Sequence, residues 1–233
     1  MYERNEEILT KIGKVSKLML LIIIITKIFL QKESPWSRKT GGGTDMLLEK
    51  NLIEYCSPTL ASLKTASLFN HTFSSEQELE NQLAVLNSQL KGKGISLQVL
   101  CRRRNKALIY VYRRSHLQAD LSRPEVGRFL KAYGYEQMEV EGALNRLKER
   151  LNQEGGFPHE IGVFLGYPLE DVVGFIQNEG KNSKCTGCWK VYADEREAAR
   201  LFARYRKCRT VYVRLWQNGR TVWQLTVASS SVP

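Results

Sequence analysis

Histidine is scarce in this chain, with three residues in 233. That scarcity argues against conventional hydrolase chemistry, which relies on a base poised near neutral pH. There is no glycine-rich phosphate loop, no H-E-x-x-H zinc pair and no G-x-S-x-G nucleophile turn. Cysteine is limited to positions 56, 101, 185, 188 and 208. An odd, scattered set points away from a secreted disulfide framework and towards a reducing, cytoplasmic compartment. Long apolar runs are also missing. Leu18–Ile25 is eight residues long before Thr26 and Lys27 interrupt it, well short of the ~20 that a spanning helix needs.

What the chain does have is ordinary globular composition, 42% hydrophobic and 25% charged, with a net charge of +11. At this length it can bury a core without metal or disulfides. The positive balance favours acidic partners, either an acidic ligand or nucleic acid.

Residues 1–45 read as an extension to the domain. The stretch "TGGGTDM" before Met46 is what a translated ribosome-binding site would give, because adjacent glycine codons can contain the core of such a site at a suitable spacing. The expectation is a native start at Met46 and no stable membrane span; the competing reading is a short hydrophobic anchor.

From residue 46 to 230 the pattern predicts one α+β domain with a helical middle, 116–180. Leu48, Leu52 and Tyr55–Cys56 mark a first helix, and Ser57-Pro58 reads as the N-terminus of a second running through "CSPTLASLKTASLF". Leu79, Leu83, Leu86 and Leu90 mark another helix, closed by Gly92. Alternation predicts a hairpin of 95–102 with 106–113. Helices follow at "RPEVGRFLKAYG" and over 137–152, then a strand at "CWKVYA" and a helix capped by Asp194 and Glu197. Asn218-Gly219 inside "TVYVRLWQNGRTVWQLTV" predicts a second hairpin. The sum is a mainly antiparallel sheet of about five strands packed by helices.

Three stretches, "EYCSPTLASLKTASLF", "FPHEIGVFLGYPLEDVVGFI" and "CWKVYADEREAARLFARYRKC", together resemble the family catalogued as domain of unknown function 3793. That family is found mainly in anaerobic Gram-positive bacteria. The resemblance runs from about Met46 to Ala228 and implies domain boundaries and a cytoplasmic location. It implies no reaction, cofactor or catalytic residue.

The second of these stretches has the spacing of a helix-turn-helix: Gly162, Gly166, Tyr167, Val172 and Phe175 occupy its small, turn and apolar positions. Its second helix opens with Glu170 and Asp171, and no Arg or Lys lies between Gly156 and Gly180. Such a surface repels phosphate, so the corner is expected to pack rather than read DNA.

Candidate chemistry gathers at a few places. His159 and Glu160 are the catalytic candidates, read either as an acid–base pair or as a helix-start residue and its capping acid. Cys185 and Cys188 form a C-x-x-C, with Cys208 as a possible addition; the pair suits zinc or iron, thiol redox chemistry, or a purely structural turn. Lys64 is a candidate anion contact. Arg102, Arg103 and Arg104 make a basic hairpin tip near Tyr110 and Tyr112. Arg196, Arg200, Arg204 and Lys207 form a basic stripe on one helix face, read as nucleic-acid contacts or as a solvated face paired with Glu195 and Glu197. The leading expectation is a metal-, thiol- or small-molecule-based role around the C-x-x-C and the "FPHE" loop. The alternative is a nucleic-acid-binding module using the hairpin tip and the Arg face.

Overall fold

A computed structural model describes residues 44–153 and 157–229. Residues 1–43, and with them the apolar Leu18–Ile25 run, lie outside the described residues.

Helix α1 (Thr44–Leu60) is continuous, and this corrects the expected break at Ser57-Pro58. The Ser57 hydroxyl turns back to donate to the carbonyl of Ile53, the i−4 bond that lets a serine sit inside a helix. Pro58 is accommodated one turn from the end. There the helix stops in a Schellman motif: Leu63 N–H donates to Pro58 O at 2.8 Å and Ser62 N–H to Thr59 O at 3.1 Å, with Ser62 left-handed at φ 60°. The chain then extends into strand β1 (Ala66–Thr72), where a helix was expected. Strand β1 is long-range structure: it takes the edge beside β3, in register from Ala66–Tyr112 to Thr72–Lys106. A local helical period in 66–69 cannot compete with that pairing.

Helix α2 (Glu76–Lys91) is capped by Ser75 and ends at Gly92, with its leucine stripe buried. Strands β2 (Ile95–Arg103) and β3 (Lys106–Arg113) form the predicted antiparallel hairpin. The sheet order is β1-β3-β2. Being central, β3 is buried from Ala107 to Arg113.

Four helices cover the middle of the chain: α3 (Arg114–Leu121), α4 (Pro124–Lys131), α5 (Val140–Asn152) and the single turn α6 (Ile161–Phe164). Helix α7 (Leu169–Gln177) completes the corner. Its hinge is Gly166, at φ +71°. Gly162 is also obligatory, since a Cβ there would meet Val172 at 2.7 Å. The expected two-helix corner is present, although α6 begins after Pro158 and not at it.

A separate two-stranded sheet, β4 (Cys185–Thr186) with β5 (Lys190–Val191), follows. Among the described residues the five strands therefore form sheets of three and two, within an α+β fold. Helix α8 (Glu195–Gln217), N-capped by Asp194, is 23 residues long, which overturns the second predicted hairpin. Asn218-Gly219 ends it in another Schellman motif. Gly219, at φ +87°, donates to Trp216 O at 2.9 Å, and Arg220 donates to Leu215 O at 3.1 Å. A positive-φ glycine serves a hairpin turn and a helix C-terminus equally well. Packing of α8 along α1 decides for the helix. A short helix α9 (Val222–Leu225) with a Thr221–Gln224 capping box closes the described chain.

Arg113 at the end of β3 ties these parts together. It is fully buried, and its guanidinium donates to the carbonyls of Thr59, Leu60 and Val227, each at 2.7 Å. It also reaches Lys93 O and Ser229 Oγ, each at 3.2 Å. Two of these acceptors lie at the negative end of α1, where a cation is favoured. The same contacts fix the position of the loop that follows α1.

Candidate functional site

That loop carries Lys64. Thr65, next to it, starts the edge strand: its carbonyl accepts from Arg113 N–H at 2.9 Å, and its hydroxyl donates to Asp120 Oδ2 at 2.6 Å. Asp120 lies on α3 one turn after His116 and also pairs with Arg123 at 2.8 Å. Ser62, in its left-handed conformation, faces His116 Nε2 at 3.4 Å. Gly166 closes the other wall; a Cβ there would stand 2.7 Å from the Thr65 hydroxyl. The result is a cleft of about 350 Å³ between the Lys64 loop, α3 and the corner, with Tyr167, Glu170 and Tyr205 in its lining. A larger groove of about 660 Å³ between α1 and α2 has no cation, histidine or thiol in its lining, so reactive groups do not converge there.

Lys64 is the unusual group in the cleft. Its ammonium lies over the Tyr167 ring, 5.2 Å from the centroid, a cation–π contact. Among the described residues it has no carboxylate partner. Burial lowers its pKa below the usual lysine range, with the nearby Cys188 and Cys56 acting in the other direction. His116 is likewise lowered, by burial and then by Arg113, against Asp120. The cleft therefore holds a neutral-leaning imidazole and an amine that gains by meeting an anion.

Tyr167 connects the cleft to the C-x-x-C. Its ring stacks on Trp189 at 4.8 Å, and Trp189 meets Phe202 edge-on at 4.6 Å. Its hydroxyl donates to Cys188 O at 3.4 Å. Asp171, on the corner's second helix, is buried and accepts from Trp189 Nε1 and from the amides of Tyr192 and Ala193, all within 2.8 Å. The acid that makes this helix unfit for phosphate is thus committed to holding the β4–β5 hairpin. Gly187 of the C-x-x-C is held against the Phe202 ring, which leaves no room for a Cβ.

The surroundings of both cysteines favour the thiol over the thiolate. Burial raises the Cys188 thiol, with Lys64 and Arg206 opposing, and burial followed by the charges of Glu195 and Asp171 raises Cys185. A redox dithiol needs the opposite direction. Among the described residues no three His, Cys, Asp or Glu side chains come together in a way that could hold a metal. Cys208 therefore does not complete a ligand set with Cys185 and Cys188; it is buried in α8, its thiol pushed up to about 11 by burial.

His159 and Glu160 part company as well. Glu160 is 1% exposed, paired with Arg150 and accepting from Tyr135 OH at 3.2 Å. His159 is exposed and lies edge-on to Phe175 at 5.2 Å. At the hairpin tip Arg102 is held by Glu76 and Glu80, while Arg103 and Arg104 are exposed. Arg200 pairs with Glu197 at 3.1 Å, and Arg196 and Arg204 point to solvent on the same helix.

The domain just described spans the residues matched by one family model. Residues 52–226 match the model described as "Protein of unknown function (DUF3793)". The chain belongs to the DUF3793 family. No curated protein matches it, and no solved structure does. The three stretches that resembled DUF3793 in the sequence are the α1–β1 connection, the helical corner and the β4–β5–α8 unit; each contributes to the lining of the Lys64 cleft, the last through Tyr205. Sequence reasoning singled out Lys64 but missed His116, Asp120, Tyr167 and Tyr205, which no spacing rule connects. No described helix of this DUF3793 member is long and apolar enough to cross a membrane.

Proposed function

We propose that this protein binds a small acidic molecule, a carboxylate or a phosphate ester, in the Lys64 cleft. One observation carries the reading: a half-buried lysine lines a cleft with an aromatic ring beneath it and, among the described residues, forms no ion pair with the cleft's carboxylates Asp120, Glu125 and Glu170. A half-buried ammonium without a counter-ion has lost part of its hydration, and a ligand anion offsets that loss. His116 and the Asp120–Arg123 pair supply donors and acceptors for the rest of the ligand. The scale fits, since small-molecule sites begin at roughly 300 Å³. A cytoplasmic setting belongs to the same proposal, supported by the odd, scattered cysteine set.

The role first expected at the C-x-x-C becomes indirect: the hairpin holds Tyr167 and Trp189 behind the lysine. The test is a thermal-shift screen of the full chain against small carboxylates and phosphate esters, followed by calorimetry on hits, with Lys64→Met in parallel. At least one acid should raise Tm in the wild type and fail to do so in Lys64→Met. A screen with no hit, or equal shifts in both proteins, would overturn the proposal.

A further inference from the structure

The extension of α8 past Thr210 has a consequence for its surface. Between Ala198 and Ser229 the chain has seven cations, six of them arginine, and no acidic residue; the whole chain carries a net +11. Had residues 210–217 been a strand, Arg214 would have left the helical stripe. As a helix, Arg214 falls in line with the cations before it. Arg196, Arg200, Arg204, Lys207 and Arg214 fall within about a quarter of the helical circumference and span ~27 Å of axis at 1.5 Å per residue. All five are exposed, and only Arg200 has a carboxylate partner among the described residues.

The opposite face of α8, Ala198, Phe202, Tyr205 and Cys208, is buried in the protein. Insertion into a lipid surface requires an apolar face beside the cations, and here that face is already in use. Arginine predominates, and its planar fork matches phosphate oxygens. At the far end of α8 stands Trp223 on α9, 51% exposed, with Lys93 Nζ 4.3 Å from its ring centroid. An exposed indole at the end of a cationic track is what an unstacked base needs.

We propose that the basic face of α8, with Trp223 at its end, binds single-stranded nucleic acid through the phosphate backbone with little sequence preference. This surface is separate from the Lys64 cleft and does not depend on it. The hairpin tip lies outside this proposal; its Arg102 is paired with Glu76 and Glu80 of α2.

The test uses the full chain with fluorescently labelled single-stranded RNA and DNA of mixed sequence, the duplex of the same sequence, and phosphatidylserine vesicles. For three or four phosphate contacts, single-strand affinity should fall about 20- to 50-fold between 50 and 200 mM salt. The exposed triple variant R204E/K207E/R214E, checked for an unchanged circular dichroism spectrum and Tm, should lose at least ten-fold in affinity at 50 mM salt, while R103E/R104E should bind like wild type. If that triple variant is misfolded, Trp223→Ala gives the readout, and about five-fold weaker binding is expected. Absence of binding at 50 mM salt, equal binding by the folded triple variant, undiminished binding by Trp223→Ala, tighter binding to the duplex, or binding to vesicles alone would each overturn the proposal.

Discussion

Asp171 and Trp189 meet at 2.7 Å, the carboxylate of the corner's second helix accepting from the indole of the β4–β5 hairpin. The same carboxylate takes the amides of Tyr192 and Ala193, and Gly174 lets Tyr192 pack directly on the helix, where a Cβ would come within 2.6 Å. The helix-turn-helix geometry therefore serves as a bracket for the aromatic stack behind Lys64. Asp171→Ala should cost about 3 kcal/mol, since it removes the acceptor of one buried and two part-buried donors at once. Urea unfolding followed by tryptophan fluorescence measures this. A change below ~1 kcal/mol would mean that the hairpin is held by something else.

Arg113 should be intolerant of replacement. Arg113→Met leaves the carbonyls of Thr59, Leu60 and Val227 without the donor they share, at an expected cost of about 3 kcal/mol or more. The segment from Val227 to Ser229 should exchange its amide hydrogens faster in the variant, measured by mass spectrometry. Arg113→Lys should recover little, because one ammonium cannot reproduce five donations in a plane.

Lys64 gives a pH dependence with a definite sign. Its folded pKa is lowered by burial, so between that value and the ordinary lysine value the unfolded chain binds more protons. Stability should rise with pH across that window, and at neutral pH the charged amine is a net burden. Lys64→Met should flatten this rise and leave the protein at least as stable at pH 7, while abolishing acid binding. In the wild type, affinity for the acid should be fully developed below the lowered pKa and be lost as pH rises through it. Calorimetry between pH 7 and 10 follows the change.

Adjacent residues His159 and Glu160 should behave oppositely. Glu160→Gln removes the buried, negative member of a pair with the partly exposed Arg150 and should cost ~2–3 kcal/mol. His159→Ala, on an exposed side chain, should stay within ~0.5 kcal/mol and leave acid binding unchanged. A strong His159 effect on binding would return the site to the "FPHE" loop.

Local signals determined much of this protein from sequence alone. The leucine stripe of α2, the β2–β3 hairpin, the Asp194 cap and the glycine-hinged corner all follow from periodicity and from residues whose backbone preference is intrinsic. The mistakes occur where one local signal has two uses. Ser57-Pro58 can begin a helix or sit near the end of one, and only the continuity of α1 with its buried face decides. Asn218-Gly219 can turn a hairpin or terminate a helix, and the choice rests on whether residues 210–217 find a partner strand or the flank of α1. Residues 66–72 became a strand because β3, some forty positions later, offered an edge.

The site was legible only as fragments. Lys64, the corner and the C-x-x-C were each visible in the sequence, but their convergence around Tyr167 and Trp189, together with His116 and Asp120 from α3, arises from packing between distant segments. Side-chain chemistry is written in the residues. Which charges are neutralised, as for Arg102 and Glu160, and which are left to meet a ligand, as for Lys64, depends on distances that exist only in the folded chain.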